Sequence, residues 1–195
     1  MSTENQRPKR IALRRLIVVL MAALFAIPTV IGTANAAPGS TGDRQDFTAP
    51  ATGAGLTSTE AAALQKRVDA YLTKSGGTQV AANEIRLSDG GSLLLALPGE
   101  KYARQLSDPV GTQASCPYYY LCYYSGTYYT GDVRSAYSCS INYYVPYVGY
   151  GSWINNQTPG TRAQFKNQYY QTIYTTPGAY SASPSYYWTP VYWTY

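Results

Sequence analysis

The chain carries few groups that could perform catalysis. Its 195 residues contain no histidine, so a serine or cysteine nucleophile would lack an imidazole base, and the commonest zinc ligand is missing. After Cys116 the only carboxylate is Asp132, whereas glycosidases need two carboxyl groups and calcium sites usually need several oxygen ligands with carboxylates among them. We therefore expect a protein that is not an enzyme, with no catalytic residue, no metal site and no cofactor.

The cysteines are the other reactive side chains. Cys116 and Cys122 are separated by a short stretch that begins with Pro117, and thiols outside the cytosol tend to be oxidised. We predict a disulfide between these two, which by the loop-entropy argument stabilises the fold by about 2 kcal/mol. Cys139 is then either buried and unreactive or paired between chains.

Tyrosine dominates the second half of the chain. All of the 22 tyrosines except Tyr71 and Tyr102 follow Cys116. The same stretch carries few charged residues, namely Asp132, Arg134, Arg162 and Lys166. Aromatic residues suit half-buried strands, and a tyrosine ring can bury area while its hydroxyl stays hydrated, as on many binding faces. These features favour a β domain that works by contact.

Several tyrosines are adjacent in sequence, so alternation along a strand would turn one ring of each pair outward. The tryptophans could also stack on sugar rings. Trp153 lies in the middle of a predicted strand, where a core position is the simpler interpretation. We expect an aromatic contact surface near the end of the chain, formed by Trp188, Trp193, Tyr186 and Tyr187.

The beginning of the chain has the organisation of a secretory signal peptide. Five basic residues precede an apolar stretch, and Ala36 and Ala37 flank a small-residue cleavage site. The alternative, an uncleaved anchor, would need about 20 apolar residues, more than this interrupted stretch offers. We expect residues 1–36 to be a signal peptide and the mature protein to be secreted and extracellular. Without these basic residues the chain is nearly neutral, so we expect no nucleic-acid partner and no membrane association after cleavage.

The mature chain divides into three predicted parts. Residues 37–56 are rich in small and polar residues and are predicted to be a flexible leader. A helix begins with the capping box of Thr57 and Glu60, and a turn of Asp and Gly residues at 88–91 predicts a β-hairpin. Residues 57–110 thus form a helix-plus-hairpin unit that either docks on the rest of the protein or is a removable pro-segment.

Residues 116–195 are predicted to form a small β sandwich. Six short strands are expected at residues 121–124, 133–137, 152–156, 162–167, 172–176 and 186–193. Pro159 and Gly160 fit the two central positions of a type II turn, which we expect to join two of these strands as a hairpin.

The Cys-Pro-x3-Leu-Cys opening at residues 116–122, followed by Tyr-Ser-Gly-Thr, resembles the secreted bacterial metalloproteinase-inhibitor family, peptidase inhibitor family thirty-six. The resemblance implies a βγ-crystallin-like Greek-key sandwich. In that fold an aromatic residue, here Tyr124, packs over a folded hairpin that requires a glycine, here Gly131, and a serine, here Ser152, ties the hairpin down. The chain departs from the family in lacking the second cysteine pair and a second aromatic-x6-Gly motif, since Phe165 leads to Thr172.

The resemblance implies a peptidase inhibitor that contacts an extracellular protease through a rigid loop. The sequence does not mark that loop. An alternative function is a cell-wall or glycan-binding module, or a surface structural protein, that uses exposed Tyr and Trp side chains.

Overall fold

The computed structural model describes residues 45–138, 141–189 and, for the backbone, 191–194. The described residues belong to one compact, mainly β unit. Its elements are α1 Thr48–Gly53, α2 Ser58–Ser75, β1 Thr78–Ala81, β2 Glu84–Arg86, β3 Ser92–Leu94, β4 Tyr120–Tyr124, a 3-10 turn Thr127–Tyr129, β5 Val133–Ala136, β6 Tyr143–Val145, β7 Gly149–Asn156, β8 Gln164–Lys166, β9 Thr172–Thr175, β10 Ser181–Trp188 and β11 Val191–Thr194. None of the helices in this described part is long and apolar enough to cross a membrane.

Helix α2 begins at the capping box that the sequence predicts. The Glu60 backbone N–H donates to the Thr57 hydroxyl at 3.2 Å, and the Thr57 N–H donates to the Glu60 carboxylate at 2.9 Å. These bonds satisfy two groups that the first helical turn would otherwise leave unpaired. Leu64 and Val68 are buried on the face that points to the core, and the helix ends at Gly76.

The prediction of a flexible leader over residues 37–56 is wrong for its last part. Residues 48–53 form α1, and both Phe47 and Ala51 are buried in the main core. Helix α1 packs against α2. The small-residue composition of the segment concealed the anchoring effect of one aromatic side chain, which contributes on the order of 2 kcal/mol when fully buried.

The first sheet has seven strands in the order β1-β2-β3-β5-β4-β7-β10. The predicted hairpin is present as β2 and β3 in antiparallel register, although the preceding apolar run is split into β1 and β2. The split occurs at Asn83, whose buried side-chain amide donates to the carbonyls of Leu95 and Arg104 at 2.8 and 3.0 Å.

Strand β3 also pairs with β5, with Leu93 opposite Arg134. Residues 57–110 are therefore not a separate unit, and the predicted boundary between residues 110 and 116 falls inside one sheet. A removable pro-segment would require the central strand β5 to lose a neighbour, so the structure favours the docked alternative.

The second sheet has four strands in the order β6-β11-β8-β9. Of the four strands β4 to β7, three belong to the first sheet and the third in sequence, β6, belongs to the second. Of the four strands β8 to β11, three belong to the second sheet and the third in sequence, β10, belongs to the first. The two groups of four thus exchange their third strands. The six predicted strands are all present in outline, but β6 was missed and the segment at residues 186–193 is divided between β10 and β11.

The expected turn at Pro159 and Gly160 is present, because Thr161 N donates to Thr158 O at 3.0 Å and Gly160 has φ of 87°. The hairpin that this turn was expected to close is not formed. Strands β7 and β8, on either side of it, lie in different sheets. A local turn signal fixes the reversal of the backbone, whereas long-range packing decides which strands pair.

Aromatic side chains fill the space between the two sheets. Phe165 of β8 lies 6.0 Å from Tyr123 and Trp153 and 5.5 Å from Trp188, measured between ring centroids. Offset and edge-on ring pairs at such distances stabilise a core beyond the area they bury. A second buried cluster, which includes Leu94, Cys122 and Val133, lies apart from this core. The two clusters lie on opposite faces of the first sheet, because successive side chains of a strand alternate between its faces and directly paired residues, such as Leu94 and Val133, share one face.

Candidate functional site

The structure joins Cys116 and Cys122 in a disulfide with a Cα–Cα distance of 5.8 Å. The loop that it closes is also tied to β7, because Tyr119 N donates to Asn156 O at 2.8 Å and the Asn156 side chain donates to Cys116 O at 2.9 Å. Cys139 lies outside the described residues, as do residues 1–36 with the Ala36 and Ala37 cleavage site. The disulfide loop is therefore a fixed platform at one end of the first sheet.

The connection between β4 and β5 is a folded hairpin held by Ser152 of β7. The Ser152 hydroxyl donates to Gly126 O at 2.7 Å and accepts from Tyr129 N at 2.8 Å. Gly131 has φ of 76°, and a Cβ there would lie 2.3 Å from the Ser125 hydroxyl oxygen. Tyr124 packs edge-on against Tyr129, with ring centroids 5.6 Å apart. Tyr124, Gly131 and Ser152 thus meet in one hairpin.

Asp132, the only carboxylate after Cys116, is occupied by structural contacts. It accepts hydrogen bonds from the Arg67 guanidinium, from the Tyr71 hydroxyl at 2.8 Å and from Ala96 N at 2.9 Å. Burial, together with the nearby Asp132 carboxylate, raises the pKa of Tyr71. A carboxylate with these partners holds α2 against β5, and it has no free face for acid–base chemistry.

A second ion pair connects the same two parts of the chain. Arg134 of β5 is buried, pairs with Asp89 from the turn before β3, and donates to Tyr144 O at 3.0 Å. Its guanidinium lies 5.0 Å from the centroid of the Tyr143 ring. Within the described residues, no three Cys, Asp or Glu side chains lie close enough together to hold a metal ion. Asp132 and Arg134 thus join the second half to residues 57–110.

The prediction of an aromatic contact surface near the end of the chain is wrong for Trp188. That side chain is fully buried, and its indole N–H donates to Tyr124 O at 2.9 Å. The indole lies against Gly151, where an added Cβ would be 2.2 Å from the indole nitrogen. Tyr186 is half-buried, and burial raises its pKa to about 12. Tyr187 is exposed, and the Trp193 side chain lies outside the described part of the structure.

The tyrosine pair at residues 169 and 170 lies in a turn, where strand alternation does not apply. Tyr143 and Tyr186 turn inward while Tyr187 turns outward, as alternation along a strand requires. In contrast, Tyr169 and Tyr170 are both exposed, because they form the turn between β8 and β9. A run of tyrosines in a turn therefore gives more exposed rings than the same run in a strand.

Asn167 fixes the turn that carries these two rings. Its side-chain oxygen accepts from Tyr169 N at 2.9 Å and from Gln171 N at 3.0 Å, and its side-chain N–H donates to the Gln171 side chain at 2.9 Å. Tyr170 occupies the left-handed region with φ of 59°. We call residues 167–171 the β8–β9 tip. It presents two large uncharged rings on a backbone that is already ordered.

A second group of exposed tyrosines surrounds the disulfide loop. Tyr118 lies 4.0 Å from Tyr119 and 6.2 Å from Tyr180, and Tyr137 lies 5.2 Å from Tyr120, measured between ring centroids. The hydrogen bond to Tyr180 raises the pKa of Tyr118. Sequence reasoning missed this group because its tyrosines come from three separate segments, and only the pairing of β4, β5, β7 and β10 brings those segments together.

No family model, no curated protein and no solved structure matches this chain.

Proposed function

We propose that this chain is a secreted, non-enzymatic inhibitor of an extracellular protease, of the metalloproteinase-inhibitor type, with a βγ-crystallin-like Greek-key sandwich. Residues 1–36 act as a signal peptide that is removed at Ala36 and Ala37. The inhibitor acts by contact alone, with no metal or cofactor, and its partner is a protease outside the cell.

The observation that carries the proposal is the hairpin pinned by Ser152 directly after the disulfide loop. Ser152 bonds both Gly126 O and Tyr129 N, and Gly131 provides the left-handed backbone that the hairpin needs. The resemblance to the inhibitor family implies this same combination of disulfide loop, aromatic residue, glycine and serine. The exchange of β6 and β10 between the two sheets supports the crystallin-like interpretation, because each group of four strands can then be traced as a Greek key.

The β8–β9 tip is the segment best suited to contact a protease. It lies where the second aromatic-x6-Gly motif is absent, so the hairpin between β8 and β9 is a tight turn that projects Tyr169 and Tyr170. Tyr169 is 72% exposed, and tyrosine is among the residues that carry the most energy at interfaces. The Asn167 bonds order the backbone before binding, which lowers the entropy lost when a complex forms.

Inhibition assays test this proposal directly. Residues 37–195 would be titrated against a thermolysin-type metalloproteinase and against a secreted serine protease. We expect tight inhibition of the metalloproteinase, and a substantial loss of potency in a Tyr169→Ser/Tyr170→Asn double variant. Asn is chosen at position 170 because it tolerates positive φ. Tyr150→Ser, which removes an exposed ring from a different surface, should leave inhibition unchanged. No inhibition by the native chain at micromolar concentration would contradict the proposal.

The alternative, a surface structural protein, is favoured by the large number of exposed tyrosines. Exposed aromatic rings at this density promote self-association. Sedimentation over a range of concentrations distinguishes the two functions, because an inhibitor should remain a monomer while a structural protein should assemble.

A further inference from the structure

A cavity of ≈ 220 Å³ opens beside the disulfide loop. Its lining residues share one property, the absence of charge, and they are Tyr119, Tyr137, Ser138, Gln157, Thr158 and Thr161. The cavity lies where the beginning of β4 meets the ends of β5 and β7. It is separate from the β8–β9 tip and shares no lining residue with it.

The two tyrosines that line the cavity are exposed but held in place. Tyr119 is 50% exposed and Tyr137 is 52% exposed. The backbone of Tyr119 is fixed by its bond to Asn156 O, and the ring of Tyr137 packs on Tyr120. The positive φ of Tyr119, 76°, turns this residue out of the regular strand path. Such rings offer flat apolar faces without the entropy cost of ordering them.

Gln157 supplies a polar group that the fold leaves unsatisfied. The residue is only 2% exposed, and its side-chain oxygen is buried without a hydrogen-bond partner among the described residues. The Gln157 backbone is fixed by a bond from its N–H to the Asn155 side chain at 3.3 Å. A buried polar atom without a partner lowers the stability of the folded state unless a ligand or solvent satisfies it.

We propose that this cavity is a binding site for a neutral saccharide. The exposed rings of Tyr119 and Tyr137 would contact the apolar face of a sugar ring, and the amide of Gln157 with the hydroxyls of Ser138, Thr158 and Thr161 would bind its hydroxyl groups. None of the described residues that line the cavity is charged, which disfavours phosphate and carboxylate ligands. Small-molecule sites commonly combine aromatic walls with a few fixed polar groups in this way.

Neighbouring rings extend the site. The ring of Tyr118 contacts the ring of Tyr119. On its other side, Tyr118 stacks on Tyr180 with an interplanar angle of 22°. A second sugar ring bound on these tyrosines would lie next to the first. We therefore expect the site to prefer an oligosaccharide over a monosaccharide.

Calorimetric titration of residues 37–195 with cellohexaose, chitohexaose and maltohexaose tests the inference. We expect at least one of them to bind, and Tyr119→Asn and Tyr137→Ser each to weaken that binding by at least about tenfold. Gln157→Met should also weaken binding, while leaving the midpoint of thermal unfolding unchanged or higher because it removes an unpartnered buried oxygen. Tyr150→Ser is the matched control for loss of an exposed ring, because Tyr150 lies near the start of β7 and the cavity lies at its end. This variant should bind as the native chain does.

The inference is overturned if none of the three hexasaccharides binds at millimolar concentration, or if Tyr150→Ser weakens binding as much as Tyr119→Asn does. It is also overturned if Gln157→Met binds normally and lowers the unfolding midpoint, because the amide would then serve the fold alone. The Tyr169→Ser/Tyr170→Asn variant should keep its saccharide binding, so this result is independent of protease inhibition.

Discussion

Single polar side chains hold the chain's irregular backbone in place. Ser152 is fully buried on β7, yet both of its bonds go to the hairpin between β4 and β5. Without that hydroxyl, Gly126 O and Tyr129 N would lose their common partner. Leaving a buried backbone group unpaired costs about 1–3 kcal/mol.

Ser152→Ala should therefore lower the free energy of unfolding by about 2–3 kcal/mol. Ser185→Ala, an exposed serine on β10, is the control and should change it by less than about 0.5 kcal/mol. Urea denaturation followed by tyrosine fluorescence measures both. If the two variants are equally stable, the hairpin does not depend on Ser152.

Tyr124 combines burial with an unsatisfied hydroxyl. Its oxygen has no hydrogen-bond partner among the described residues, and burial raises its pKa to about 12, compared with about 10 in an unfolded chain. Because the folded state holds this proton more tightly, the stability it contributes is complete below pH 10 and is lost as the pH rises towards 12. The half-buried Tyr186, whose pKa is also about 12, adds to the same trend.

We expect stability to fall between about pH 10 and pH 12, with the exposed tyrosines ionising before the fold is lost. Phenolate absorbance and circular dichroism measured on one sample separate the two events. Tyr124→Phe should be as stable as the native chain at neutral pH and less sensitive to alkali, whereas Tyr187→Phe should behave as the native chain. Equal alkaline sensitivity of both variants would show that Tyr124 does not control the transition.

Two ion pairs connect helix α2 and the turn between β2 and β3 to the Tyr-rich strands. Arg67 of α2 pairs with Asp132, and Asp89 pairs with Arg134 of β5. Asp132 is buried, while the Arg67 side chain is 39% exposed. Loss of Arg67 leaves the buried Asp132 carboxylate without its cation, whereas loss of Asp132 leaves the Arg67 guanidinium partly in solvent. The cost in folding free energy is therefore larger for the unpaired carboxylate.

A double-mutant cycle on Arg67→Met and Asp132→Asn should show a coupling free energy of about 1–3 kcal/mol. Asp132→Asn alone should cost about 2–4 kcal/mol, because it also weakens the bonds from Tyr71 and Ala96 N. Chemical denaturation of the four proteins gives the cycle. Additive effects of the two substitutions would mean that the ion pair does not hold α2 on the sheet.

The local sequence predicts much of the architecture, and the features that it does not predict depend on contacts between distant segments. The capping box at Thr57, the β2–β3 hairpin, the disulfide and most strands depend on neighbouring residues, so the sequence predicts them. The burial of Trp188 depends on Gly151 of another strand, and the group of tyrosines around Tyr119 depends on the pairing of four strands. Such features arise from long-range pairing, which periodicity and turn signals do not encode. Strand alternation predicts that only one ring of Tyr169 and Tyr170 is exposed, whereas both are exposed because the pair lies in a turn.

For the whole molecule, the continuous first sheet makes residues 57–110 part of the fold. The main core includes Phe47, Leu64 and Ile85 together with Tyr123 and Trp153. A shortened chain of residues 112–195 would expose the β5 edge and leave Asp132 and Arg134 without their ion-pair partners. We expect it to lack a cooperative thermal transition, while residues 37–195 unfold cooperatively. A cooperative transition of the short chain, followed by circular dichroism, would contradict the one-unit fold.

The first experiment to perform is the inhibition of a thermolysin-type metalloproteinase by residues 37–195, compared with inhibition by the Tyr169→Ser/Tyr170→Asn variant. We expect stoichiometric inhibition by the native chain and a large loss of potency in the variant, although both unfold at the same denaturant concentration. A native chain that leaves the protease fully active at micromolar concentration would contradict the proposed function. Equal inhibition by both proteins would show instead that the contact surface lies away from the β8–β9 tip.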